Sequence, residues 1–159
     1  RWALQAPTMK AVVAYDTMGG STEKMAKALG EGLISGVATL VEMPLRPSHR
    51  SEVAMELLEA GAFLVGTPTI NNTMFPTVAD VLTYVGGLKF RNLIGASFGS
   101  FGWSGEGPKR VAGMLAEMEM EMAGEPLRVE YVPDSHALEK ARGLGAAVSN
   151  RLKEVVGSG

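Results

Sequence analysis

Three short stretches carry residue types able to act together on one ligand. The first is Asp16-Thr17-Met18-Gly19-Gly20-Ser21-Thr22, with three hydroxyls and two glycines ahead of a helix-period segment. Backbone N–H groups of a glycine turn, the Thr17, Ser21 and Thr22 hydroxyls and the positive end of a helix dipole can satisfy a phosphate dianion without a cationic side chain. No lysine follows Gly20, so this is not a Walker loop, and the G-x-G-x-x-G spacing of dinucleotide folds is absent. A short hydroxyl loop suits a terminal monophosphate; a hydroxyl-rich helix cap with no ligand is the competing reading. The second stretch, Gly66-Thr67-Pro68-Thr69-Ile70-Asn71-Asn72-Thr73, is stiffened at Pro68 and rich in groups that can meet the edge of a polar heterocycle. Asn and Thr also form ordinary surface turns, so alone it is weak. The third, Ser97-Phe98-Gly99-Ser100-Phe101-Gly102-Trp103-Ser104-Gly105-Glu106-Gly107, interleaves aromatics with glycines. Read as a loop, it can set a ring face beside a flat ligand while exposing N–H groups to it, or its aromatics can simply pack on helices.

Composition removes several other chemistries. The chain has no cysteine, which excludes disulfides, thiolate metal sites, persulfide chemistry and a cysteine nucleophile. His49 and His136 are the only histidines, too few for a transition-metal cluster. A net charge of −2 supplies no basic field for nucleic acid or an anionic membrane. No apolar run approaches the roughly 20 residues of a bilayer span, and no signal-peptide pattern opens the chain, so a cytoplasmic location is expected. A content of 46% hydrophobic and 20% charged residues over 159 positions fits one globular domain.

The elements that must position the three stretches follow from hydrophobic period. Ala11–Tyr15 reads as a strand, followed by a helix with Met25, Ala28, Leu29 and Leu33 on one face. Ala38–Met43 reads as a second strand, then a short helix carries Val53, Leu57 and Leu58. Ala62–Val65 is apolar throughout, as a strand buried on both faces would be. Pro76 opens a helix with Val78, Val81, Leu82 and Val85 inward, ended by Gly86-Gly87. Leu93–Ala96 is the fourth strand. Pro108 begins a helix whose apolar face is Val111, Met114, Leu115, Met118 and Met122, with Glu117, Glu119 and Glu121 in solvent; the ten methionines are core filler rather than a soft-metal site. Leu127–Val132 is the fifth strand, and Leu138, Ala141, Gly145, Val148, Leu152 and Val155 form the stripe of the closing helix. Strands alternating with helices require right-handed crossovers and a doubly wound parallel α/β sheet. Residues 1–8 read as a linker, 9–156 as the domain and 157–159 as a disordered tail; a start at Arg1 points to a piece of a longer protein. Ligands bind such sheets outside the carboxyl ends of the strands, where all three stretches fall.

Together the motifs Tyr15-Asp16-Thr17-Met18-Gly19-Gly20-Ser21-Thr22, Gly66–Asn72 and Ser97–Gly105 resemble flavodoxins, and more narrowly the flavodoxin-like C-terminal domain of A-type flavoproteins, the flavo-diiron proteins. The resemblance covers roughly Met9 to Lys153. It implies a five-stranded sheet of order 2-1-3-4-5, one FMN, and electron transfer through that flavin. Carried onto this sequence, Thr17, Met18, Gly19, Gly20, Ser21 and Thr22 would hold the phosphate and ribityl end. Pro68, Thr69, Ile70 and Asn71 would border the ring, and Ser97, Phe98, Gly99, Ser100, Phe101, Gly102, Trp103 and Gly105 would supply backbone and aromatic contacts. Gly19 stands where relatives often carry an aromatic or polar residue, and Phe101 where tyrosine is common. The resemblance also implies partners: a diiron metallo-β-lactamase-like domain of the parent protein, whose H-x-E-x-D-H ligands this chain lacks, and an electron donor such as rubredoxin or a reductase. Negative charge near the flavin disfavours its anionic hydroquinone, so a net charge of −2 implies a milder lowering of the second potential than in strongly acidic flavodoxins.

Other readings remain at this stage. Gly95-Ala96-Ser97-Phe98-Gly99 fits G-x-S-x-G, with Asp134 and His136 downstream, and raises a serine hydrolase using Ser97; a nucleophile elbow, however, turns straight into a helix. A receiver-type phosphoacceptor needs an acid where Thr67 stands. A stand-alone NAD(P)H-dependent quinone reductase on the same flavin fold would make the chain an enzyme by itself.

Overall fold

The computed structural model describes residues 8–17, 20–34, 36, 39–45, 50–70, 73–90, 93–101, 106–130 and 133–158. In chain order the elements are β1 (Lys10–Tyr15), α1 (Ser21–Ile34), β2 (Thr39–Pro44), α2 (Arg50–Leu57), β3 (Ala62–Gly66), β4 (Thr69–Ile70) and β5 (Thr73–Met74). They continue with α3 (Pro76–Leu88), β6 (Ile94–Phe101), α4 (Glu106–Glu117), β7 (Glu121–Met122), β8 (Leu127–Glu130) and α5 (Ser135–Ser158). The main sheet runs β2-β1-β3-β6-β7, all parallel, with β8 also on β6. β7 meets Ile94 and Gly95, while β8 meets Phe98 to Phe101. These two short strands share the fifth position, so the order is 2-1-3-4-5 with an interrupted last strand. β4 and β5 form a separate antiparallel hairpin.

Alternation along the central strands divides the core in two. From β1, Val12 and Ala14 pack with Phe63, Val65, Val81, Leu82, Val111 and Leu115 on the side of α2, α3 and α4. Ala11, Val13 and Tyr15 pack with Leu64, Phe98, Met25, Leu29, Val148 and Leu152 on the side of α1 and α5. Each fully buried leucine contributes about 1.5–3 kcal/mol of transfer free energy, so the apolar strands are held by both layers at once. The expected stripe on α5 is present, and Gly145 has a steric reason: a Cβ there would stand 2.2 Å from the Leu29 carbonyl oxygen. Gly32 on α1 is equally confined, 2.1 Å from the Arg142 carbonyl oxygen, so the two helices approach backbone to backbone.

Several boundaries differ from the sequence expectations. α3 does not stop at Gly86-Gly87 but continues to Leu88 and closes at Lys89, whose φ of 58° is left-handed and whose N–H donates to the Gly86 carbonyl. α4 begins at Glu106, with Pro108 inside its first turn, where no intrahelical partner is lost. It ends at Glu117 rather than running to Met122. Glu119 turns left-handed at φ 66°, its N–H donates to Ala116 and the Met120 N–H donates to Leu115, the two bonds of a Schellman stop. Met118 therefore packs at the helix end, and Met122 belongs to β7 instead of the helical stripe. The closing helix includes Gly157 and Ser158, beyond the boundary at Val156. Among the described residues no helix is long and apolar enough to cross a membrane.

Candidate functional site

The carboxyl ends of β1, β3 and β6 are tied to one another before any loop begins. The Asp16 N–H donates to the Gly66 carbonyl at 3.2 Å, and the Thr67 N–H donates to the Phe98 carbonyl at 3.0 Å. At the first loop, the Gly20 carbonyl accepts the Lys24 N–H at 3.1 Å, which makes Gly20 the residue before α1. Its φ is +90° and no atom lies within 4 Å of where a Cβ would stand. A glycine in this place offers no side chain to cap the helix, and Ser21 and Thr22 lie within its first turn, so the residue before α1 is not a hydroxyl cap. Thr22 is wholly buried, its Oγ1 3.3 Å from the Ser100 Oγ at the far end of β6. The Thr17 Oγ1 is shielded from solvent and has no partner among the described residues. The Asp16 carboxylate accepts the Thr17 N–H at 2.7 Å through Oδ1 and the Thr77 hydroxyl through Oδ2.

Beside this loop, Tyr15 closes β1 with only 3% of its surface exposed. Burial first, and then the negative charges of Glu23 and Glu42, push its phenol above the ordinary range, so it is neutral at physiological pH.

At the second loop, the fully buried Thr67 hydroxyl donates to the Pro68 carbonyl and accepts the Phe75 N–H, each at 2.9 Å. This closes the chain around the β4–β5 hairpin. The Thr69 Oγ1 accepts the Gly107 N–H at 2.9 Å, fixing the hairpin to the first turn of α4. Pro68 and Thr69 thus stand at the site edge, with Ile70 following in β4.

The third stretch corrects the sequence reading most. Ser97, Phe98, Gly99, Ser100 and Phe101 are strand, not loop: β3 pairs with Ser97 and Phe98 on one side and β8 with Phe98 to Phe101 on the other. Phe98 lies wholly within the α1/α5 core, its ring filling the space a Cβ on Gly66 would need at 2.3 Å. Gly99 is required because a Cβ would fall 1.8 Å from the Thr67 carbonyl oxygen. Ser97 is 2% exposed, inside the strand, with no partner for its hydroxyl among the described residues. That removes the hydrolase, since no elbow exists; Asp134 instead accepts the Ala137 N–H at 2.8 Å at the start of α5, and His136 is exposed beside it. Met18, Gly19, Asn71, Gly102, Trp103 and Gly105 lie outside the described residues, as do His49 and residues 1–7.

Of the candidate residues, Thr17, Gly20, Ser21, Thr22, Pro68, Thr69 and Ser100 therefore lie at the carboxyl ends of β1, β3 and β6, and half-buried Phe101 ends β6. Asp16, Thr67, Thr77 and Gly107 join them without having been assigned from sequence. Asp16 was signalled only by its place before the loop, and nothing in a linear pattern pairs it with a residue 61 positions away.

Comparison with known proteins agrees with this geometry. A family model described as flavodoxin matches residues 13–145. The rubredoxin-oxygen oxidoreductase of Megalodesulfovibrio gigas is 41% identical over 152 residues, covering 96% of this chain and 38% of that protein. A nitric oxide reductase of Moorella thermoacetica is 40% identical, covering 97% and 39%. The crystal structure of the flavodiiron protein from Giardia intestinalis superposes with a TM-score of 0.89 at 29% identity, covering 97% of this chain and 38% of that one. The chain belongs to the flavodoxin family, in a branch related to flavodiiron proteins, and spans less than two fifths of the length of these relatives. The family implies FMN as cofactor, and the residues fit it: the Thr17 hydroxyl has no partner among the described residues, and α1 starts a few positions on after Gly20, which has no side chain to cap it.

Proposed function

We propose that this chain is the FMN-binding electron-transfer module of a flavodiiron-type oxidoreductase, whose diiron metallo-β-lactamase-like domain is a separate part of the parent protein. The observation that carries the reading is the shielded Thr17 hydroxyl, without a partner among the described residues, beside a helix start that has glycine in place of a capping side chain. A buried polar atom without a partner is costly, by about 1–3 kcal/mol, and a phosphate oxygen would satisfy it. FMN, when bound, accepts and releases electrons one or two at a time. Thr17, Gly20, Ser21 and Thr22, with Met18 and Gly19 between them, hold its phosphate and ribityl end in this reading. Pro68, Thr69, Ile70 and Asn71 border the ring on one side. Ser100 and Phe101, followed by Gly102, Trp103 and Gly105, border it on the other. The chain's own work is then to bind, orient and shield, with no bond made or broken by a side chain.

The donor is rubredoxin or a reductase and the electrons pass on to the diiron domain, in the cytoplasm. Similarity to an oxygen-reducing and to a nitric oxide-reducing relative supports this electron path. The test is the visible spectrum of the purified chain with the released flavin identified by mass. Stoichiometric FMN is the expected result, and a colourless protein that fails to take up added FMN overturns the reading. Rapid bleaching by NADH with no partner present would reassign the chain as a stand-alone reductase.

A further inference from the structure

We infer that Asp16 and Thr77 form a clamp that positions the first loop for its phosphate group and fastens it to helix α3; the inference rests on the FMN reading above. Asp16 is the first residue after β1, and each of its carboxylate oxygens accepts a hydrogen bond. Oδ1 takes the Thr17 N–H at 2.7 Å, while Oδ2 takes the hydroxyl of Thr77, on the second residue of α3. An ionised carboxylate only accepts, so Thr77 must donate, and its hydroxyl direction is thereby set. The effect falls on Thr17. The Thr17 N–H is drawn to Asp16, Asp16 is held to Gly66 through its own N–H, and the buried Thr17 hydroxyl has no partner among the described residues. A carboxylate is otherwise an odd neighbour for a phosphate site, because like charges repel. Its presence fits a geometric use: each oxygen already accepts a hydrogen bond, and the two donors offset part of its charge.

Thr77 has a second consequence. α3 begins directly after the hairpin of β4 and β5, whose closure depends on Thr67 accepting the Phe75 N–H. Through Thr77 and Asp16, the phosphate side and the hairpin side of the site share one carboxylate. The two walls thus shift together rather than independently. Asp16 and Thr77 are positioning residues, since they act through Thr17 and α3.

The test measures FMN and riboflavin affinity for the wild-type apoprotein and for Asp16→Ala, Asp16→Asn and Thr77→Val. Charge-assisted hydrogen bonds of this kind correspond to about tenfold in a binding constant. Asp16→Ala is expected to weaken FMN by about tenfold or more, and Thr77→Val by about threefold, with riboflavin changed much less in both. A general loosening of the domain would weaken the two flavins alike. Asp16→Asn keeps an acceptor for Thr17 and a partner for Thr77, so it should return FMN affinity to near wild type. If Asp16→Ala does not fold, the FMN-to-riboflavin ratio of Thr77→Val decides. Equal losses for both flavins, unchanged FMN affinity in the alanine or valine variant, or an asparagine variant as weak as alanine would each overturn the clamp. A wild-type chain that binds neither flavin would instead overturn the functional reading on which it stands.

Discussion

The two ends of the parallel sheet are built from different materials. At the carboxyl end, Asp16, Thr17, Thr22, Thr67, Thr77 and Ser100 place hydroxyls and a carboxylate among strand ends and first helical turns, nearly all engaged in defined hydrogen bonds. At the amino end, a groove of about 410 Å³ lies between the last turns of α3 and α4, lined by Leu82, Gly86, Phe90, Met114, Met118 and Met120 among others. The groove has volume and a lining that mixes these apolar side chains with Thr83, Lys89, Glu117 and Glu119; the opposite end ties hydroxyls and a carboxylate into hydrogen bonds between strand ends and first helical turns. Space alone does not define a binding site, and neither does an orphan hydroxyl. Ser97 and Ser149 also hide hydroxyls without a partner among the described residues, yet Ser97 lies inside β6 and Ser149 under Gly36, where a Cβ would approach it to 1.8 Å. Thr17 differs because its oxygen borders a loop at the sheet's carboxyl edge, beside an uncapped helix start.

The largest effect that would test this contrast comes from Gly99→Ala. Its Cβ would collide with the rigid Thr67 carbonyl, so unfolding free energy should fall by about 3 kcal/mol and FMN binding should fall with it. Denaturant unfolding and flavin titration read both; a variant as stable as wild type would show that the β3–β6 ends are not a fixed frame. Gly20→Ala separates backbone from space, because nothing crowds the new methyl while φ +90° strains it. A loss of about 1–2 kcal/mol in stability is expected, together with weaker FMN binding. Substituting leucine for Met114 in the groove should cost less than about 1.5 kcal/mol and leave FMN affinity unchanged. An altered affinity there would break the division between the two ends.

The smallest effect concerns Glu121 on β7, also toward the amino end. A hydrogen bond from Arg151 lowers its pKa; desolvation opposes that shift, and the Arg151 charge adds to it. A depressed carboxyl stabilises the fold above its unfolded value near 4.5 and loses that contribution as pH falls through the folded value. Between about pH 5 and about pH 3 the melting temperature of wild type should therefore fall slightly more than that of Glu121→Gln. Both groups are substantially exposed, so the difference is small and shrinks with added salt.

Much of this architecture is visible in the linear chain. Alternating apolar runs and helical stripes place β1, β3, α1 and α5 because each element's period matches the surfaces that bury it. The described parts of the three stretches likewise fall at the carboxyl edge of the sheet. Where reading along the chain misleads, a partner distant in sequence is responsible. Ser97 to Phe101 have the glycines and hydroxyls of a loop, but β3 and β8 flank them and impose extended backbone. The alternating Glu117–Met122 run suits a helix end and a strand equally, and the left-handed turn at Glu119 divides it. Gly86-Gly87 resembles a helix stop, yet α3 passes through it while the Met118 methyl packs 3.3 Å from where a Gly86 Cβ would stand.

What the sequence determined by itself was the class of fold, the placement of three hydroxyl- and glycine-rich stretches toward one sheet edge and a composition without thiols, since these follow from local period and composition. Only the tertiary structure decided that Gly20 rather than a hydroxyl precedes α1, that Phe98 is core, and that Asp16 reaches Thr77. Those facts depend on which atoms meet across a sheet, and a pairing between residues 61 positions apart has no local signature to read.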